Sequence, residues 1–241
     1  IITKLLNKKT VINVDGLEWL RPKWKGIGAM YYKFAARMAT LFYDQIINDA
    51  EEMRKIYLEL FNKDSKVIAY GPKANIDTET QILSKNKINK LDYFLIVGRL
   101  IPDNNWDILV DGFNLSKSSK KLVIVGDNPF KNKFQENLKS NYSNNIIFTG
   151  LIKDQVELCD LFKNAYAYLH GHEYGGTNPT LIEALSFGNA VIALDTVFNR
   201  EVLQDGKFGL FFNKNKNSVK ELIVYADDNE KEILALKNNS K

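Results

Sequence analysis

The chain has 241 residues, 45% of them apolar, and carries 33 basic and 29 acidic side chains for a net charge of +4. That length and composition support one or two domains with a real core, and so mild a charge does not argue for nucleic acid as a partner. A single cysteine, Cys159, excludes an internal disulfide and any multi-cysteine metal site. It sits in the apolar pattern of Val156, Leu158, Leu161 and Phe162, which predicts a buried structural thiol. No apolar run approaches the ~18 residues of a membrane span and no signal peptide is visible, so a cytoplasmic enzyme or binding protein is expected.

The chain begins at Ile1, without a methionine and inside what reads as a domain, so preceding sequence is expected. Thr10 to Val14 reads as a strand ending in Asp15-Gly16, a polar residue and a glycine where open α/β sheets place ligands. Trp19 and Trp24 then stand among Arg21, Lys23 and Lys25, a mixture that suits stacking on sugar rings or phosphate-bearing lipids. Packing of each tryptophan on the core is the favoured alternative. Tyr31 to Phe42 is apolar at helical spacing and predicts a core helix. Gln45 to Asp49 predicts a short strand, and Asp49 a cap for a helix from about Glu51 to Phe61. Val67 to Pro72 reads as a strand closed by a turn.

Lys73 to Lys90 is polar and aperiodic and reads as a linker with room for a short helix. From Asp92 the alternation is regular. Strands are predicted at 93–97, 121–125, 146–148, 165–169, 190–193 and 209–212. Helices are predicted at 106–116, 130–141, 155–163, 180–187, 199–203 and 218–227. Strands alternating with helices of this length predict an α/β fold with a doubly wound parallel sheet.

Four successive strand ends carry glycine: Gly98-Arg99, Gly126-Asp127, Gly150, and Gly171 to Gly176. One such glycine is usually a plain turn; four in register, with an arginine among them, suit a nucleotide diphosphate site. The fourth belongs to the stretch His170 to Gly188. There Gly175-Gly176 lets backbone approach a ligand, Asn178 is a good helix N-cap and Pro179 fits the first helical position. A glycine loop leading into a helix N-terminus makes an anion site. Glu183 sits among Leu181, Ile182, Ala184 and Leu185; a ribose diol or a neighbouring backbone group would partner its carboxylate equally well. His170 and His172, the two histidines, are expected to point to opposite sides, with His172 the better candidate for a donor sugar. No P-loop run, no Gly-x-Gly-x-x-Gly and no metal-ligand cluster is present, which weakens an NTPase, a dehydrogenase and a metal centre.

The segments Val97-Gly98-Arg99-Leu100-Ile101-Pro102, Val125-Gly126-Asp127, Phe148-Thr149-Gly150, Glu183 to Ala193, and Glu201-Val202 with Gly209-Leu210 occur in order over about Tyr93 to Phe212. On these the chain resembles the retaining GT-B glycosyltransferases of family four. Asn13 to Trp19 and Gly175 to Pro179 are similar to a bacterial rhamnosyltransferase-like branch associated with polysaccharide assembly. The resemblance implies two Rossmann-like domains: residues 1–72 as the latter part of the N-terminal one, 73–90 as a linker, and 91–241 as the nucleotide-sugar-binding one. It implies hexosyl transfer with retention from a nucleotide sugar, dTDP-rhamnose being one candidate, to an oligosaccharide or lipid-linked saccharide. Work at the inner membrane face, peripheral membrane contact and independence of metal or other cofactor belong to the same implication. A non-catalytic nucleotide-sugar-binding module and a sugar-nucleotide epimerase are the rivals.

By that resemblance Arg99 meets the donor diphosphate, Glu183 holds the ribose, and Gly175, Gly176, Thr177 and Asn178 offer amides to phosphate and sugar. Leu151, with Ile152, lies against the base. Three positions depart from the family. Asn104 stands where a lysine is usual, which leaves diphosphate neutralisation to Arg99 and a helix dipole. Glu173 and Glu183 are ten residues apart where the family's two glutamates are eight apart, which sets Glu173 off from the first of that pair. Asp15 stands where relatives carry a histidine. The candidate catalytic residues are Arg99, Asp15 and Glu173. The candidate donor-binding residues are Glu183, Gly175, Gly176, Thr177, Asn178, Asn104, Leu151, His172 and Gly98.

Overall fold

The computed structural model describes residues 6–14, 16–72, 79–127 and 144–239. Asp15, the stretch 73–78 of the expected linker and the helix expected at 130–141 lie outside the described residues. Two compact units divide the chain: the described parts of Ile1–Gly71 with Tyr174–Asn178 and Val197–Val202, and the remainder from Pro72 onward.

The first unit holds a parallel three-stranded sheet of β1 (Val11–Asn13), β2 (Gln45–Asn48) and β3 (Lys66–Val67), in that order. Its core gathers Leu17, Ile46, Ala50, Met53, Tyr57 and Phe198. Trp19 packs its ring 6.2 Å from Phe61 and 6.5 Å from Tyr57, and Trp24 lies 4.7 Å from Tyr32, its indole N–H donating to Glu18 at 3.1 Å. Both tryptophans are packing residues. Helix α1 (Ile27–Phe42) starts four residues before the periodic stretch. It is not the core helix that its spacing predicts: Met30, Tyr31, Phe34 and Leu41 are exposed, and only Ala39 and Thr40 are buried.

Helix α2 (Glu51–Phe61) follows an N-cap, Ala50, that has no side-chain oxygen. Asp49 does not cap it. The carboxylate of Glu201 does so from the opposite end of the sequence, accepting the N–H of Glu51 at 2.7 Å and of Glu52 at 2.9 Å. Two of the helix's orphan donors are thereby satisfied by an anion at the positive end of its dipole.

The second unit is built on a six-stranded parallel sheet. Its strands are β4 (Tyr93–Val97), β5 (Lys121–Val125), β6 (Ile146–Gly150), β7 (Ala167–His170), β8 (Ala190–Leu194) and β9 (Gly209–Phe212), in the spatial order β6-β5-β4-β7-β8-β9. Phe94, Ile96, Leu122, Ile124, Leu169 and Ile192 join one core with Trp106 and Phe113. Strands apolar throughout are what a sheet covered on both faces requires. The helices are α3 (Ile82–Lys85), α4 (Trp106–Ser116), α5 (Gln155–Asn164), α6 (Pro179–Ser186), α7 (Val197–Val202, grouped with the first unit), α8 (Lys216–Asp228) and α9 (Glu230–Asn239). The last lies beyond the helices predicted from the sequence. Ile233 anchors it in the core, and the Lys237 ammonium donates to the Ala165 carbonyl at 2.6 Å. Cys159, expected buried, is half-buried, because the face of α5 that packs inward carries Asp160, Leu161, Phe162 and Asn164.

Candidate active site at a strand switch point

The chain runs outward through β4, β5 and β6, then returns to the other side of β4 with β7. The carboxyl ends of β4 and β7 therefore flank the point where strand order reverses, the place where open α/β sheets hold ligands. The loop after β4 runs through Gly98 and Arg99 into a 3-10 turn at Pro102–Asn104. The Gly98 N–H donates to Val125 at 3.0 Å and the Gly126 N–H to Gly150 at 2.9 Å, so these two strand-end amides are spent on the sheet. Arg99 is exposed at this rim.

The loop after β7 is fastened to the loop after β4 by four bonds. The Asn105 amide donates to the Gly171 carbonyl at 2.9 Å and to the Glu173 carboxylate at 3.3 Å. The Glu173 N–H donates to the Asp103 carbonyl at 3.2 Å. The Asn104 side-chain oxygen lies 2.9 Å from Nδ1 of His172. Space is tight as well: a Cβ on Gly171 would stand 2.3 Å from the Asn104 carbonyl oxygen. The Glu173 carboxylate also pairs with Lys214 at 2.5 Å. Arg99, Asn104, His172 and Glu173 are thus brought into one neighbourhood, with Glu173 serving as the knot.

The two histidines do not point to opposite sides as expected: residues two apart in an extended chain share a side, and their ring centroids lie 6.2 Å apart. His170 is buried at the end of β7, and His172 is half-buried. Burial, with the His172 ring beside it, pushes the His170 pKa down to about 3 and keeps that imidazole neutral. The Tyr168 hydroxyl donates to the Val97 carbonyl at 3.3 Å and lies 3.1 Å from the Thr180 hydroxyl, tying α6 to the β4 end. Burial, then the nearby Glu183 carboxylate, raise the Tyr168 pKa. Glu183 is half-buried on α6. Leu151, 63% exposed, lines a cavity of about 370 Å³ with Ile82, Asn86, Thr149, Ile152 and Asp154.

The glycine loop Tyr174–Asn178 belongs to the first unit, where Asp49 organises it. The Asp49 carboxylate accepts the Thr177 N–H at 2.8 Å, and the Thr177 hydroxyl donates to the Asp49 carbonyl at 3.2 Å. The Thr177 amide, expected to face phosphate, is therefore already bonded. Asp49, Asn105, Lys214 and Glu201 have no sequence signal for these roles, since each acts on a partner at least 41 residues away. Among the described residues no three His, Cys, Asp or Glu side chains group to hold a metal ion, and no helix is long and apolar enough to cross a membrane.

Comparison with known proteins matches the chain in two consecutive parts. Residues 77–241 match the family model described as glycosyl transferases group 1, and residues 2–73 match one described as a domain of unknown function (DUF1972). The alpha-monoglucosyldiacylglycerol synthase of Acholeplasma laidlawii is 31% identical over 134 residues, 54% of this chain and 33% of that protein. The Campylobacter jejuni N-acetylgalactosamine-N,N'-diacetylbacillosaminyl-diphospho-undecaprenol 4-alpha-N-acetylgalactosaminyltransferase is 28% identical over 155 residues, 62% of this chain and 41% of that protein. The chain thus spans less than half the length of either. Among solved structures, Anabaena HepE in complex with UDP and glucose superposes with a TM-score of 0.79 at 16% identity, covering 99% of this chain and 67% of that one. The fold is therefore the expected one, α/β with parallel sheets in the GT-B class.

Proposed function

This chain belongs to the glycosyl transferases group 1 family, and we propose that it moves a sugar with retention from a nucleotide-diphosphate sugar to a saccharide acceptor. The observation that carries the reading is the β4–β7 switch point, where Arg99 and the bonded loop Gly171–Glu173 stand at adjoining strand ends. In this reading the Arg99 guanidinium forms charge-assisted bonds to the diphosphate and stabilises it as it departs. Glu183 accepts from the ribose hydroxyls, and the cavity beside Leu151 receives the base. Asp49, by fixing Gly176 and Thr177, sets the shape of the glycine loop. The chain's chemical contribution is mainly orientation and charge stabilisation, with no metal taking part.

The finer assignments belong to the same proposal. The donor is dTDP-rhamnose, and the acceptor is a saccharide of a bacterial surface polysaccharide, lipid-linked at the inner face of the membrane. Two relatives support a lipid-borne acceptor by their names, one for a glucosyldiacylglycerol and one for a diphospho-undecaprenol. The test is incubation with dTDP-, UDP- and GDP-sugars, with and without acceptor, followed by detection of free nucleotide and glycosylated product. Isomerised donor without acceptor would mean an epimerase, and nucleotide binding with neither product would mean a binding module.

A further inference from the structure

Asn104 stands where a lysine would meet phosphate, yet its side chain faces two protein groups. Its Nδ2 lies 2.7 Å from the Arg99 carbonyl oxygen, and its Oδ1 lies 2.9 Å from Nδ1 of His172. A carbonyl oxygen only accepts, so the amide must turn Nδ2 toward Arg99; the reverse orientation sets two acceptors against each other. Oδ1 is thereby committed to His172, and an amide oxygen also only accepts. Nδ1 of His172 must then carry the proton, whether the ring is neutral or charged, and in the neutral ring the lone pair sits on Nε2. The backbone reinforces the arrangement, since Gly171 beside His172 leaves no room for a Cβ against the Asn104 carbonyl.

We propose that Asn104 is a positioning residue that holds His172 as the Nδ1–H imidazole, so that Nε2 accepts a hydrogen bond from a hydroxyl of the donor sugar. A neutral Nε2 repels a phosphate oxygen and favours an O–H, so the pair reads the sugar rather than the diphosphate. The hydroxyl half of this inference rests on the nucleotide-sugar reading above; the tautomer half does not. Buried beside it, His170 stays neutral, the two ring centroids being 6.2 Å apart.

Nitrogen-15 NMR of the imidazoles tests the tautomer directly, because the chain has only two histidines and a His172→Gln variant assigns them. At pH 8 the His172 Nδ1 should resonate in the protonated range and Nε2 in the unprotonated range. Asn104→Ala, at a half-buried turn position, should collapse that pattern toward a mixture dominated by Nε2–H. A wild-type His172 in the Nε2–H form, or an Asn104→Ala spectrum like wild type, overturns the proposal. Titration of wild type and Asn104→Ala with dTDP and dTDP-rhamnose, and with UDP and UDP-glucose, tests the hydroxyl. For the pair that binds, the variant should lose roughly three- to tenfold in affinity for the sugar form and almost none for the bare nucleotide. Equal loss for both overturns the sugar contact. Absence of binding by either pair sinks the nucleotide-sugar reading and the sugar contact with it, while the nitrogen shifts still decide the tautomer.

Discussion

A Cβ built on Gly176 would stand 1.9 Å from Oδ1 of Asp49, and the next residue, Thr177, donates its N–H to the same carboxylate at 2.8 Å. The glycine is there because an anionic side chain from the end of β2 fills the space that any other residue would need. Gly176→Ala should therefore push the Asp49 carboxylate away and break its bond to Thr177. A lost bond to a charged acceptor predicts a destabilisation of about 1.5–3 kcal/mol, read as a lowered urea midpoint at unchanged slope. Unchanged unfolding in Gly176→Ala would show that the loop moves instead.

Arg99 is exposed at the rim of the β4 end, so truncating it should leave the fold intact. Arg99→Ala should weaken nucleoside diphosphate binding about tenfold to a hundredfold, from the loss of one charge-assisted bond, and leave nucleoside binding nearly unchanged. Arg99→Lys should recover only part of the loss, since an ammonium cannot reproduce the guanidinium fork. Calorimetric titration with both ligands checks this. Equal loss for nucleoside and diphosphate would make Arg99 a structural residue.

The second unit was the legible part of the chain. Its strands are mostly apolar runs, and β4, α4, β5 and β9 begin and end at the residues their patterns predict. Helix α9 was not legible, because Ile233 and Leu236 are diluted by Glu230, Lys231, Glu232 and Lys237, and it takes tertiary contact with the core to reveal them. The same holds for the site. Strand-end glycines and Arg99 are local signals; the partnerships Asp49–Thr177, Asn105–Gly171 and Lys214–Glu173 join residues 41 or more apart. Asp49 illustrates how a local rule misleads. An aspartate two residues before a helix reads as its cap, but its carboxylate is drawn to the Thr177 amide.

Acid should destabilise the protein through His170. Its folded pKa, pushed down to about 3 by burial, lies below the 6.5 of an ordinary histidine. Between those values the unfolded chain binds a proton that the folded chain refuses. Stability is then full above about pH 6.5 and falls as pH drops toward 3, by at most ~1.4 kcal/mol per pH unit from this group. His170→Leu removes the effect, and its cost should be small because Nε2 of His170 has no hydrogen-bond partner among the described residues. Urea unfolding of both proteins from pH 4 to pH 7 checks the sign. The difference in stability between wild type and variant should shift in the variant's favour as pH falls; a constant difference would mean that His170 protonates normally in the fold.

The last prediction separates the two carboxylates near the start of α2. Glu201 accepts from the N–H groups of Glu51 and Glu52, whereas Asp49 bonds Thr177. Removing the Glu201 carboxylate leaves two N–H groups at the positive end of the helix without their acceptor, and Ala50 has no side-chain oxygen to replace it. Glu201→Ala should cost about 0.5–2 kcal/mol, the range of a lost N-cap. Glu201→Gln should retain part of this, because one neutral amide oxygen can still accept. Alanine at position 201 should also expose the α2 N-terminus to amide hydrogen exchange at residues 51 and 52 while sparing the Thr177 amide. Asp49→Ala should do the reverse, deprotecting Thr177 and sparing residues 51 and 52. Hydrogen exchange on the two variants measures both effects at once, and deprotection of residues 51 and 52 by Asp49→Ala alone would return the cap to Asp49.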